Sequence, residues 1–240
     1  AENGTVWAWG FNLNGELGDG TRETRYAPVR VNGLADAVSV AAGHQFSLAL
    51  TNDGTVYAWG MGGEGALGLG DRFVRRTPTR VPGLNGVIGI AAGPNHSVAV
   101  KGDGTVWAWG RNTTGALGDG TGTSSSVPVR VSGIASVVAV AAGMDFSLAV
   151  KSDGTVWAWG ENAHGQLGDG STTRQLAPIQ TRGLDGVTGI AAGVRHSIAV
   201  RNDGTVWGWG QNDVGQLGEG TKTDYRTPIQ MRALNGIVSV

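Results

Sequence analysis

The heptapeptide GTVWAWG at residues 4–10 returns as GTVYAWG at 54, as GTVWAWG at 104 and 154, and as GTVWGWG at 204. The step is 50 residues each time, without insertion or deletion. Other landmarks keep this period. A Gly-x-Leu-Gly-x-Gly loop opens at Gly15, Gly65, Gly115, Gly165 and Gly215, and prolines stand at Pro28, Pro78, Pro128, Pro178 and Pro228. An Ala-Ala-Gly element begins at Ala41, Ala91, Ala141 and Ala191, followed by Ser47, Ser97, Ser147 and Ser197. Self-similarity at a fixed period marks units that bury their apolar faces on one another. The chain therefore reads as repeats 1–50, 51–100, 101–150, 151–200 and 201–240 of one repeat domain spanning 1–240.

Within a unit the apolar runs are short and separated by turn residues, as strands are. In the second unit, strands are expected at residues 38–42, 46–50, 55–59 and 78–81. Asn52-Asp53-Gly54 supplies a hairpin turn of the kind that needs positive φ, and Asp103, Asp153 and Asp203 repeat it. Alternation puts Val56 and Ala58 on one face of the third strand and Tyr57 and Trp59 on the other. Pro78 assigns the fourth strand to an edge, because proline cannot donate to a ladder. Four strands per unit and no helical periodicity define an all-β fold, a β-propeller of four-stranded blades. Small residues at Ser39, Gly89, Ala139, Gly189 and Ser239 suit strands crowding toward a central axis.

Composition narrows the function classes. Glycine supplies 43 of 240 residues, against a usual share of about 7%. Nine tryptophans and 40% hydrophobic content give enough apolar surface to order the chain. A net charge of −1 creates no overall pull toward nucleic acid or an acidic membrane. Cysteine is absent, which removes disulfides and thiolate metal sites. No apolar run approaches the roughly 20 residues that span a bilayer, so no membrane insertion is expected. Ala1-Glu2-Asn3-Gly4 already matches the repeat, so no signal peptide is expected in this stretch.

Residues 141–170, AAGMDFSLAVKSDGTVWAWGENAHGQLGDG, resemble the regulator of chromosome condensation repeat, especially its bacterial versions. The resemblance covers the whole chain. It implies a propeller, commonly of seven blades, that works through protein–protein contacts, and its bacterial character directs attention to a secreted or cell-surface setting. The sequence departs from that pattern in three ways. About five repeats are present: four complete blades and a partial one whose third and fourth strands come from the N-terminus and whose first strand is residues 237–240. This count suggests a section of a longer array, with blade edges open to self-association. The family's histidine before the serine is kept as His96 and His196 and replaced by Phe46 and Phe146. No repeat carries the inserted loop that the family's exchange factor uses on its GTPase, which argues against exchange activity.

The candidate chemistry resolves into structure. Asp19, Asp119 and Asp169, with Glu219 and Leu69 at the same position, give at most one carboxylate per loop from this position. That is too few for a calcium cage, so these acids are read as turn residues, and no metal or cofactor is expected. A site that accepts either histidine or phenylalanine is a packing site. His44 and His164 are solitary loop residues. The serines repeat once per blade, as buried hydroxyls satisfying backbone do. Gly15 to Gly20 lacks the lysine of a phosphate loop and opens no helix. No enzyme activity is expected.

The loops divide into two kinds. One expected face is monotonous, with TNDG, KGDG, KSDG and RNDG turns. The other carries His44-Gln45, Pro94-Asn95, Met144-Asp145 and Val194-Arg195, and the longer loops RETRY from Arg22, RFVRR from Arg72, GTSSS from Gly122, TTRQL from Thr172 and KTDYR from Lys222. Variation on projecting loops of a rigid scaffold is where recognition residues sit. The partner-binding candidates are Arg22, Arg25, Tyr26, His44, Gln45, Arg72, Phe73, Arg75, Arg76, Asn95, Asp145, Arg174, Arg195, Tyr225 and Arg226. Many are the arginine and aromatic types favoured at interface hot spots. A protein-binding scaffold is the first reading. Nucleic-acid or chromatin binding through the Arg and aromatic loops is the second, against which near-neutral charge and the lack of a basic tail weigh. A structural spacer of a larger surface protein is the third. Joint charge reversal of Arg72, Arg75 and Arg76 is expected to weaken partner binding and leave the fold intact.

Overall fold

The computed structural model describes residues 4–234 and 236–240; the Ala1-Glu2-Asn3 start lies outside the described residues. An N-terminal pair, β1 (Trp7–Gly10) and β2 (Arg25–Arg30), is followed by four antiparallel sheets. Blade one holds β3 (Ala37–Ala42), β4 (Phe46–Thr51), β5 (Val56–Gly60) and β6 (Arg75–Arg80). Blade two holds β7 (Val87–Ala92), β8 (His96–Lys101), β9 (Val106–Gly110) and β10 (Ser125–Arg130). Blade three holds β11 (Val137–Ala142), β12 (Phe146–Lys151), β13 (Val156–Gly160) and β14 (Gln175–Gln180). Blade four holds β15 (Val187–Ala192), β16 (His196–Arg201), β17 (Val206–Gly210) and β18 (Tyr225–Gln230). Strands follow chain order across every blade, and the first strands of successive blades lie against one another.

Two expectations change in detail. The fourth strand of blade one starts at Arg75 rather than 78, because Gly60 pairs with Arg75 and a bulge separates that pair from Ala58 and Thr79. Pro78 sits inside this irregular stretch of an edge strand, where a missing N–H is harmless. Residues 237–240 form no strand, and the N-terminal pair joins no other sheet. Among the described residues of this 240-residue segment, the sheets do not close into a ring.

The blades are held together by one repeated arrangement. Val56 and Ala58 face blade two, packing with Ala99 and Trp109. Tyr57 and Trp59 face the other way, toward Val6, Ala8, Val31 and Leu34. The second tryptophan of each Trp-x-Trp or Tyr-x-Trp pair is therefore the seam residue, and Trp59, Trp109, Trp159 and Trp209 are all fully buried. Burying 150–250 Å² of indole at about 25 cal/mol per Å² contributes roughly 4–6 kcal/mol per seam before chain entropy is counted.

Polar geometry fixes where each indole sits. Trp59 Nε1 donates to Glu16 O, Trp109 to Ala66 O, Trp159 to Ala116 O and Trp209 to Gln166 O, each at 2.8 Å. The same four oxygens accept from Ser47, Ser97, Ser147 and Ser197 at 2.8–3.0 Å. Serine and tryptophan are register partners on adjacent strands, as with Ser97 and Trp109, so their side chains reach the same point in the neighbouring unit. Gly68 must be glycine beside this point: its φ is +72°, and a Cβ there would stand 2.9 Å from the Trp109 indole.

Ala66 O keeps one donor until both are removed. Ser97→Ala and Trp109→Phe are each expected to cost about 1 kcal/mol in lost hydrogen bonding. The double variant should lose an additional 1–3 kcal/mol, roughly the penalty of a buried unpaired carbonyl. Urea unfolding of the four chains checks this, and strict additivity would contradict it.

Candidate functional site: the loop face

Hydrogen bonds separate the two faces. The first-to-second and third-to-fourth loops of each blade meet, with Met61 N donating to Gln45 O, Arg111 N to Asn95 O, Glu161 N to Asp145 O and Gln211 N to Arg195 O at 2.7–2.9 Å. At the opposite end the hairpin turns meet the chain entering each blade, as in Asn52 N to Asp36 O and Ser152 N to Ser136 O. There the aspartates cap their own turns, with Thr55 N and Thr105 N donating to Asp53 and Asp103 at 3.0 Å. The diverse loops thus share one face and the uniform turns share the other.

The long loops are built on asparagines that sequence reasoning did not single out. Asn12, Asn112, Asn162 and Asn212 are fully buried. Asn112 Oδ1 accepts from Leu117 N at 2.8 Å, while its Nδ2 donates to Asp119 Oδ1 and Thr121 O, both at 3.1 Å. The loop acid is therefore a structural anchor. Asp19 is the most strongly held: burial pushes its carboxyl up, but hydrogen bonds from Thr21, Arg25 and Asn12 outweigh this and bring it to about 2. Blade one breaks the pattern at both places, with Gly62 for the asparagine and Leu69 for the acid. A Cβ at 62 would stand 2.4 Å from Phe73 O, so this loop closes differently and Asp71 takes over, accepting from Phe73 N at 3.0 Å. The signal was present as a WG-x-Asn step at four of the five repeats.

The candidate residues have separate fates. Arg25 is paired with Asp19 at 2.8 Å, Arg75 with Asp71 at 2.6 Å, and Tyr225 donates to Glu219 at 3.3 Å. All three occupy one repeat position and close their own loops. Arg76 and Arg226 lie over Gly15 and Gly165 of the preceding unit, and their carbonyls accept from Gly20 N and Gly170 N across the seam. Reversing Arg75 would remove the Arg75–Asp71 pair that closes its loop, whereas the seam contact at Arg76 is made by its backbone carbonyl. Arg174 Nη1 reaches Thr113 O of the preceding blade at 3.4 Å. His44, Gln45 and Asn95 line one seam cleft, and Asp145 and Arg195 line another. His44, Arg76, Arg174, Arg195 and Arg226 are exposed as well, and Arg22, Arg72 and Phe73 stand out at the loop tips with Phe73 at 72%; Tyr26, 97% exposed, is at the repeat position of Arg76 and Arg226.

His96 is fully buried, with Nε2 3.0 Å from Ser147 Oγ. That hydroxyl already gives its proton to Ala116 O, so His96 Nε2 is the donor. Burial lowers the imidazole to about 4. His196, at the equivalent position, is also lowered by burial. Among the described residues no group of three or more histidines and acids could hold a metal ion, and no helix is long and apolar enough to cross a membrane.

The sequence profile of the RCC1-like domain matches residues 1–240, and the chain belongs to that family. It is similar to the crystal structure of human WBSCR16, with a TM-score of 0.85 and 28% identity over 96% of this chain and 63% of that one. It is also similar to Prp20p from Saccharomyces cerevisiae, with a TM-score of 0.80 and 25% identity over 95% of this chain and 59% of that one. That structure was described with its binding to Gsp1p and histones. Yeast RCC1 (Prp20) with Kap60 bound matches at a TM-score of 0.80 and 26% identity, over 94% and 57%. The chain thus spans about three fifths of the length of these structures. A comparison with curated protein sequences finds no match.

The unfolded chain protonates its histidine near 6.5 and the folded His96 only near 4. Its contribution to stability is therefore complete above about pH 6.5 and lost as pH falls toward 4. Acidification from pH 7 to 5 should cost the wild type about 2 kcal/mol more than His96→Phe, a residue the repeat accepts at 46 and 146. Denaturant midpoints at the two pH values read this difference.

Proposed function

We propose that the chain is a non-enzymatic protein-binding scaffold that docks a partner on its variable loop face. The observation that carries this reading is the division of labour among residues. The seams and loop anchors use the repeated Ser, Trp, Gly, Asn and acid positions, which leaves Arg22, Arg72 and Phe73 projecting from one face. Large amphipathic side chains held on a rigid scaffold are the types that anchor protein interfaces. The binding of Gsp1p and histones by Prp20p, and of Kap60 by yeast RCC1, supports partner docking as a use of this fold. The identity of the partner is separate from those cases, because sites differ among proteins of one fold.

Affinity capture from extract with the wild-type chain beside Arg72→Glu/Phe73→Ala tests the reading. The variant should bind the captured protein at least tenfold more weakly, with an unchanged urea midpoint. Equal binding would remove the docking face. A steep log-linear fall with salt, sensitive to nuclease, would assign the face to nucleic acid instead.

A further inference from the structure

In an Asn-Gly step the backbone nitrogen can attack the side-chain amide, because glycine has no Cβ to shield that nitrogen. Among the described residues such steps occur at Asn14-Gly15, Asn32-Gly33 and Asn85-Gly86. Attack uses two groups, the glycine N–H and the asparagine carboxamide. At the first two steps the fold already occupies them. Gly15 N donates to Asn12 O at 3.1 Å, and Asn14 Nδ2 donates to Glu16 at 3.3 Å. Asn32 Nδ2 donates to Asp19 O at 2.7 Å, which pins the nitrogen that would have to leave.

Asn85-Gly86 is left open. Both residues are exposed, in the connection from β6 to β7 on the uniform face. Among the described residues neither Gly86 N nor Asn85 Nδ2 donates to a protein group. Gly86 has a φ of +66°, and a Cβ there would meet nothing within 4 Å. The turn around this free N–H is nonetheless held: Gly86 O accepts from Gly102 N at 2.9 Å, and Val87 N donates to Gly54 O at 3.2 Å. Asn85 Oδ1 accepts from Arg80 Nη2 at 3.3 Å, a cation placed where negative charge gathers on attack. The repeat also accepts the acid. Asp185 stands at the same position in blade four, where its Oδ1 accepts from Arg201 Nη2 at 2.6 Å.

We propose that Asn85 is a site of spontaneous deamidation, with water as the co-reactant. The Gly86 nitrogen attacks Asn85 Cγ and gives its proton to solvent. The Cγ–Nδ2 bond breaks, ammonia leaves, and a cyclic succinimide remains. Water opens the ring at Cγ to give aspartate, or at the main-chain carbonyl to give isoaspartate. The sum is carboxamide plus water to carboxylate plus ammonium, without redox change. The uniform face gains one negative charge beside Arg80, and the isoaspartate form adds a main-chain carbon to a turn bonded on both sides.

The folded chain is held in warm, mildly alkaline buffer beside a sample in urea, and both are followed by tryptic digestion and tandem mass spectrometry. Cleavage after Arg22, Arg30 and Arg80 places the three asparagines on separate peptides. In the folded chain Asn85 should convert at least about fivefold faster than Asn14 or Asn32, the factor that one hydrogen bond is worth. In urea the three should convert at similar rates. Isoaspartate should appear beside aspartate at position 85, because the ring opens both ways. In Asn85→Gln the mass gain on the 81–101 peptide should vanish. Equal rates at the three steps in the folded chain, or an Asn85 that keeps its lead in urea, would overturn the proposal. So would aspartate without isoaspartate, or a mass gain that persists in Asn85→Gln and so belongs to Asn95.

Discussion

Each seam turns on a single backbone oxygen that receives two side-chain protons from the next unit. The constraint is tight because both donors come from paired positions on neighbouring strands, so the blade must present its face at one angle and one height. Indole burial supplies most of the energy, and the shared oxygen supplies the register. Gly18, Gly68, Gly118 and Gly168 follow from it, since any side chain there would collide with the indole. So does the 50-residue period, because each unit must return its serine and tryptophan to the same place.

Much of this was legible in the sequence, and what was missed has physical reasons. The strands, the hairpin aspartates, the edge proline and the inter-blade tryptophans follow from alternation and turn chemistry. The acceptor did not, because a carbonyl belongs to every residue: Glu16, Ala66, Ala116 and Gln166 share no side-chain character. Asn112 and its counterparts were overlooked because their role depends on a loop closing around them. The role of Arg75 could not be separated from that of Arg72, since residues of the same chemistry three apart go one to an ion pair and one to solvent, and the part of Arg76 in the seam is played by its carbonyl, which every residue has.

The same mechanics explain how the fold leaves room for recognition. The seam carbonyls and the loop-base asparagines are satisfied within the protein, so the tips can change from RETRY to GTSSS without altering how blades meet. Blade one shows the limit of this freedom: where Gly62 replaces the anchoring asparagine, Asp71 takes the N–H of Phe73, whose side chain is exposed like its counterparts Glu23, Thr123, Thr173 and Thr223. At the seam between blades three and four, the Gln166 Nε2 is buried without a hydrogen-bond partner. Variation in this repeat is therefore concentrated in the parts that no seam consumes.

Hydrogen exchange at the nine indole N–H groups tests the central claim most directly. The indoles of Trp59, Trp109, Trp159 and Trp209 should exchange slowly and at similar rates, because their protons are released only when a seam opens. Trp9, 63% exposed at the same repeat position, should exchange rapidly. If the four seam indoles exchanged as fast as Trp9, the shared carbonyl would not be what holds the blades in place.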